Sequence, residues 1–197
     1  MTIRTLTLLI ALSLVLAACT AAPTGPERTV GFLKDYSKLQ ADPERPGNWI
    51  WHKPGVDMRV YDRLLIEDVQ VIPDADSKVG EYGPEKLKKA ATYFHLVLIE
   101  KVEPYYSTAK HPAVNVLRVK IALTDRVPSM GDTPGEAAIE VDISDSVSGD
   151  TLAAGVLRIR GSLAGTGEVK EEWRHVDGAF QEWAARLLDY MDRNQAE

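Results

Sequence analysis

The chain has a single cysteine among its 197 residues. A lone thiol cannot close an internal disulfide, so the fold must rest on its core alone. It also lacks any excess of positive charge, with 23 Lys and Arg against 29 Asp and Glu. Without a basic stripe, nucleic acid is not an expected partner, and adhesion to anionic head groups is disfavoured. There is no GxSxG elbow and no HExxH or His-x-His pair, and the four histidines, at 52, 95, 111 and 175, are scattered. No enzyme activity, metal or cofactor is therefore expected. Long apolar runs are equally scarce: the one present lies at the N-terminus, and no second span follows it.

That run, Leu6 to Leu16, follows Arg4 and ends in Leu16-Ala17-Ala18-Cys19. It reads as a secretory signal, too short and wrongly flanked for a spanning helix. Leu-Ala-Ala-Cys resembles a bacterial lipobox, in which the cysteine becomes the first residue of the mature chain. The resemblance implies diacylglycerol on the sulfur and a further acyl chain, such as palmitate, on the freed amine. A thiolate is the best nucleophile in the leader. Each buried CH₂ contributes roughly 0.8 kcal/mol, so one chain binds marginally and three hold permanently. Thr20, where Asp would signal retention in the inner membrane, resembles the outer-membrane default of enteric-type bacteria. The expected address is the outer membrane, with the domain facing the periplasm or, less often, the cell surface. The expected partners are that membrane, through the lipid, and an envelope protein.

Three regions follow from this: a signal peptide at 1–18, the lipidated cysteine and a tether at 19–30, and a single periplasmic domain at 31–197. Arg4 is the only charge in the leader, so the mature chain carries 22 basic and 29 acidic residues, a net charge of −7. At this length one domain buries roughly 70% of its unfolded surface. Thr20 to Arg28 is rich in Ala, Pro, Thr and Gly and is expected to be a disordered tether; a dozen such residues span roughly 20 Å on average. Phe32, Leu33, Tyr36 and Leu39 then fit one face of a short helix or turn docked on the domain. Residues 41–58 carry Pro43, Pro46 and Pro54 with Trp49 and Trp51, and read as irregular and extended.

Regular structure is expected from Val60. Residues 60–72 read as a strand, and Gly83-Pro84 opens a helix, with Pro at its first position. Leu87, Ala90, Ala91, Phe94, Val97 and Leu98 keep the 3.6 period until Pro104. Residues 114–124, 137–143 and 151–160 alternate as strands, with Ser148-Gly149-Asp150 as a turn. A helix over about 169–193 carries Trp173, Val176, Phe180, Trp183, Leu187, Leu188 and Met191 as its apolar stripe. Glu182–Arg186 and Asp189–Arg193 fall on its wet side. The predicted class is α+β: a two-layer sandwich, β-α-β-β-β-α, with a mainly antiparallel sheet of about four strands and two helices on one face. The alternate rows read basic (Arg118, Lys120), acidic (Glu140, Asp142) and basic (Arg158, Arg160). In a meander these rows would face one another on a wet surface.

Several blocks together are similar to one family. They are Gly31-Phe32-Leu33 with Asp35-Tyr36-Ser37 and Leu39; Tyr61-Asp62; Val116-Leu117-Arg118-Val119 with Ala122-Leu123-Thr124-Asp125; Asp145 to Asp150 with Leu152-Ala153-Ala154; and Trp173 and Phe180. In this order, over about residues 31–190, they resemble a bacterial lipoprotein family known as domain of unknown function 3313. The resemblance implies no enzyme activity and no catalytic residue.

Other candidate features have plainer readings. Gly161 to Gly167 lies where phosphate loops sit but lacks their Gly-Lys-Ser/Thr, and Glu168, Glu171 and Glu172 would repel a phosphate there. Asp142, Asp145 and Asp150 surround one turn without the calcium-loop spacing. Glu171 and His175 are one turn apart, as on many solvated helix faces. Trp49, Trp51, Tyr105 and Tyr106 lie in irregular segments and form the candidate interaction surface, because Trp and Tyr dominate interface hot spots. The expected function is a non-enzymatic periplasmic interaction or envelope-assembly module. The alternative is a small-ligand carrier or hydrolase with a dispersed site.

Overall fold

The sheet edges are built by segments too short to show a sequence period. The structure, a computed structural model, describes residues 25–73, 75, 83–127, 135–161 and 174–193. Chain order begins with β1 (Gln40–Ala41) and β2 (Trp49–His52), then a single 3-10 turn at Met58–Val60, β3 (Arg63–Ile66) and β4 (Gln70–Val71). Helix α1 (Pro84–Val102) and β5 (Ser107–Thr108) come next. The long strands β6 (Val116–Val127), β7 (Gly135–Asp145) and β8 (Thr151–Gly161) follow, and helix α2 (Arg174–Arg193) ends the order.

The strands β6, β7 and β8 form the expected antiparallel meander. The expectation of about four strands is corrected: among the described residues the sheet has eight, in the order β1-β2-β8-β7-β6-β3-β5, with β4 also on β6. Two local facts account for part of the difference. The strand expected over 60–72 is interrupted, and its two pieces, β3 and β4, run parallel to successive stretches of β6. A parallel pair needs a crossover, and α1 supplies it. The segment 41–58 is not wholly irregular, since β2 pairs antiparallel with β8 from Trp49↔Val156 to His52↔Ala153. Pro43, Pro46 and Pro54 all fall outside that four-residue strand, so no ladder N–H is lost.

Both helices pack on one sheet face. Ala90, Ala91, Phe94, Val97 and Leu98 of α1 and Phe180, Trp183, Leu187, Leu188 and Met191 of α2 join Leu117, Val119, Ile121, Leu123 and Ile139 in the main core. Phe94 stacks on Phe180 with ring centroids 4.4 Å apart, and Trp183 lies 5.6 Å from Phe94. The expected start of the last helix at 169, with Trp173, lies outside the described residues, as does the side chain of Val176.

The opposite face is not simply wet. Leu33, Leu39 and Trp49 pack there on Ala154 and Val156, with Phe32, Tyr36 and Trp51 at the margin, so the 32–39 segment docks as its pattern suggested. The charge-ladder expectation fails at Glu140, which stands opposite Ala122 on one side and Val156 on the other. Arg118 is opposite Ser144 and Arg158 opposite Ala138; of the expected pairs only Lys120 and Asp142 are direct neighbours. Alternation gives the face of a residue but not its register, and the register shifts between Leu123 and Asp125 and again between Ile143 and Ser144.

Candidate functional site

Glu140 is 1% exposed in the middle of β7, where a carboxylate is costly unless it is bonded. It accepts the Val30 N–H at 2.8 Å through Oε1 and the Tyr36 hydroxyl at 2.5 Å through Oε2. Tyr36 in turn accepts the Leu33 N–H at 3.1 Å. One buried acid thus fastens the start of the domain to the sheet. Burial, followed by the bond to Glu140, pushes the Tyr36 hydroxyl up to about 12. The alternating pattern conceals this, since it assigns Glu140 to a polar row; the only sequence signal is the Tyr36 block near the N-terminus.

The Asp145 turn is organised by side-chain capping. Oδ1 accepts the N–H groups of Val147 at 3.0 Å and Ser148 at 2.7 Å, and Oδ2 accepts the Tyr61 hydroxyl at 3.0 Å. These bonds, that from the Ser148 N–H first, hold the Asp145 carboxyl below its usual range. Gly149 takes φ 71°, the left-handed backbone that favours glycine. Asp142 accepts from Thr151 Oγ1 at 2.9 Å, and Asp150 lies 3.7 Å from Lys53 Nζ. Each acid of the suggested calcium trio thus has its own structural partner. Among the described residues no group of three His, Cys, Asp or Glu side chains could hold a metal ion.

The candidate aromatics do not meet in one patch. Trp49 and Trp51 lie on β2 towards one end of the strand order, whereas Tyr105 and Tyr106 precede β5 at the other. Trp49 is buried, and Trp51 lies beneath Lys38 Nζ, 5.0 Å from its ring centroid. Tyr106 is buried and donates to Asp192 at 2.9 Å, while Tyr105 is exposed. His52 stacks on Tyr190 at 5.1 Å, and burial pulls its pKa down. His95 Nδ1 lies 3.2 Å from the Glu67 carbonyl oxygen, and His111 is exposed. Cys19, the 161–167 loop beyond Gly161, Glu171 and the side chain of His175 lie outside the described residues.

The feature that sequence reasoning missed is a cleft of about 330 Å³ between α2 and the sheet. Its floor is Ile121, Ile139, Val141 and Leu157, and Trp183, Arg186 and Leu187 form the helical wall. Ile50 and His52 of β2 and the 42–45 loop close one side. The volume falls in the range of about 300–1,000 Å³ usual for small-molecule sites. Arg186 is corrected from the wet side of α2 to this wall: its side chain is only 19% exposed. Its Nη2 pairs with Glu182, as the spacing suggested. Its Nη1 and the Trp183 Nε1 are both buried and find no acceptor among the described residues. The i,i+4 rule reveals the ion pair but not what stands across from its far side.

With this geometry in hand, the comparisons identify the chain's class. The model of a family described as "Protein of unknown function (DUF3313)" matches residues 28–133, and the chain belongs to that family. No curated protein matches. Solved structures similar in part include the PelC dodecamer from Paraburkholderia phytofirmans, at 10% identity and a TM-score of 0.48, covering 73% of this chain and 96% of that one. Another is the hypothetical protein CT253 from Chlamydia trachomatis, at 13% identity and 0.42, covering 66% and 98%. A third is the lipoprotein GNA1162 from Neisseria meningitidis, at 12% identity and 0.31, also covering 66% and 98%. At such identities and scores these likenesses carry no activity, partner or assembly over to this chain. Among the described residues no helix is long and apolar enough to cross a membrane.

Proposed function

We propose that the chain is a lipid-anchored, non-enzymatic binding domain of the bacterial envelope, attached to the outer membrane through Cys19 and facing the periplasm. The observation that carries this reading is the fastening of Val30 and Tyr36 to Glu140. It fixes where the folded domain begins, eleven residues after the lipobox cysteine. At no more than about 3.6 Å per residue, those eleven residues keep the domain within roughly 40 Å of an acylated Cys19. A domain held so close to the bilayer meets other envelope components, and a protein among them is one partner class.

The non-enzymatic part is supported by the engagement of Asp142, Asp145 and Asp150 in turn and ion-pair contacts, of His52 in stacking on Tyr190, and of His95 against the Glu67 carbonyl. A second reading, that of a small-ligand carrier, is favoured by the cleft beneath α2. The anchor is tested by fractionation. Wild-type chain should sediment with outer-membrane vesicles, and Cys19→Ser should appear in the soluble periplasmic fraction. Retention of Cys19→Ser in the membrane at the wild-type level contradicts the proposal.

A further inference from the structure

Of the large apolar side chains exposed among the described residues, all but Leu96 share one end of the sheet. Val60, Tyr105, Val114 and Val147 are 48% to 74% exposed. Val60 closes the turn before β3, Val114 precedes β6, Tyr105 precedes β5, and Val147 lies in the turn between β7 and β8. The pairings Arg63↔Ser107, Arg63↔Val116, Leu117↔Asp145 and Ser144↔Thr151 place these loops at the same end. Because β8, β7, β6, β3 and β5 are successive neighbours, the loop tips form one row, roughly 15–20 Å long at about 4.8 Å per strand. One scattered apolar residue, such as Leu96 on α1, needs no explanation, but one on each of four adjoining loops does.

The tips are braced against one another. Ser146 Oγ donates to the Ala113 carbonyl at 2.9 Å and accepts the Ala113 N–H at 3.2 Å. Arg63 Nη2 donates to the Val114 carbonyl at 2.9 Å, and the Asp62 N–H donates to the Asn115 carbonyl at 3.2 Å. The valines are thus held outward before anything covers them, which lowers the ordering cost of an encounter.

The N-terminal segment decides what covers them. It reaches this rim itself, where Lys34 Nζ donates to the Gly149 carbonyl at 3.1 Å. Val30 is fastened to Glu140, five residues before Asp145 on β7, and therefore lies roughly 17 Å from the rim. The connection from Cys19 to Val30 extends to about 40 Å, more than twice that distance. The rim's bases stand beside acids: Arg59 is 2.8 Å from Asp57, Arg63 is 3.4 Å from Asp62 and Lys53 is 3.7 Å from Asp150. That pairing favours an interfacial layer entered by apolar tips over a surface held by charge. Tyrosine is, in addition, a residue of the water–lipid boundary.

We infer that this rim rests on the bilayer, with Val60, Val114 and Val147 in the interfacial layer and Tyr105 at head-group level. Four side chains bind weakly alone, but on a tethered domain the approach is intramolecular. The inference rests on the anchor proposed above and adds which end of the domain faces the membrane.

The test uses the full acylated chain in phosphatidylcholine vesicles containing doxyl-labelled lipid. Lipid blocks the Cys19 sulfur, so Val147→Cys supplies the one free thiol for a nitrobenzoxadiazole label. Glu85→Cys is the reference, roughly 26 Å along α1 from Val102 at the rim end. The label at 147 should be blue-shifted and quenched at least about twofold more than the label at 85. Adding Val60→Ser and Val114→Ser should bring the 147 quenching down towards the 85 level with the melting temperature preserved; if that variant does not fold, the comparison of 147 with 85 still decides. High salt should leave the difference intact, since it screens charge and not apolar contact. Quenching at 147 no greater than at 85, no response to the two serines, or loss of the difference in salt each overturns the inference. So does a blue shift at 147 that is complete without vesicles, which would make the rim a contact between proteins. Equal quenching on a chain that sediments with the vesicles removes the rim assignment alone; a chain that does not sediment removes the anchor and the rim with it.

Discussion

Glu140 and Tyr36, 104 residues apart in sequence, share a hydrogen bond of 2.5 Å beneath the N-terminal segment. The second Glu140 oxygen takes the Val30 N–H, so a single side chain at the centre of β7 closes the domain against the chain that enters it. Glu140→Ala would leave two polar groups in a closed site without their acceptor and should cost about 2–4 kcal/mol. Glu140→Lys should cost more, because it adds an unpaired charge beside the same donors. Tyr36→Phe removes only the hydroxyl and should cost about 1–2 kcal/mol. Urea denaturation ranks the three variants. Equal midpoints for Glu140→Ala and wild type would show that the clamp contributes nothing.

The Asp145 turn predicts an acid-side loss of stability. Its carboxyl is held below the usual value in the folded chain by the Ser148, Tyr61 and Val147 bonds. A depressed carboxyl contributes stability above its unfolded value of about 3.9, and that contribution is lost as pH falls through the lower folded value. Between about pH 5 and pH 2 the wild type should therefore lose more stability than Asp145→Asn. Urea midpoints measured across that window check the sign; parallel curves would remove Asp145 as the cause.

The contact between helices rests on Phe94, which is fully buried and stacked on Phe180. Phe94→Ala should cost about 3–5 kcal/mol through lost transfer energy and the remaining cavity. Leu96, two residues on in the same helix, is 53% exposed, and Leu96→Ala should change stability by less than about 0.5 kcal/mol. Thermal melts of the pair test whether the α1 face is assigned correctly.

The long elements were legible because their periods run over many residues. Leu117, Val119, Ile121, Leu123, Ile139 and Ile143, then Ala90, Ala91, Phe94, Val97 and Leu98, and Phe180, Trp183, Leu187, Leu188 and Met191 take the core positions expected of them. Two-residue strands such as Gln70–Val71 carry no period; they exist because β6 offers them a partner. Trp49 and Trp51 were hard to place for a related reason, since prolines flank a strand of only four residues. The site was less legible than the fold. Glu140 looks like any outward acid until residues 30–36 cover it, and Arg186 looks solvated until the sheet rises opposite it. Both depend on contacts between segments far apart in sequence, which alternation and i,i+4 spacing do not encode.

The proposed anchor sets the domain on a short tether from an acylated cysteine. Intact and tandem mass spectrometry of the chain purified from its native membranes tests it most directly. The anchor predicts a mature chain starting at Cys19, heavier than its amino acids by a diacylglyceryl group on sulfur and an acyl group on the amine. A mature chain starting at any other residue, or one starting at Cys19 without added mass, would contradict it.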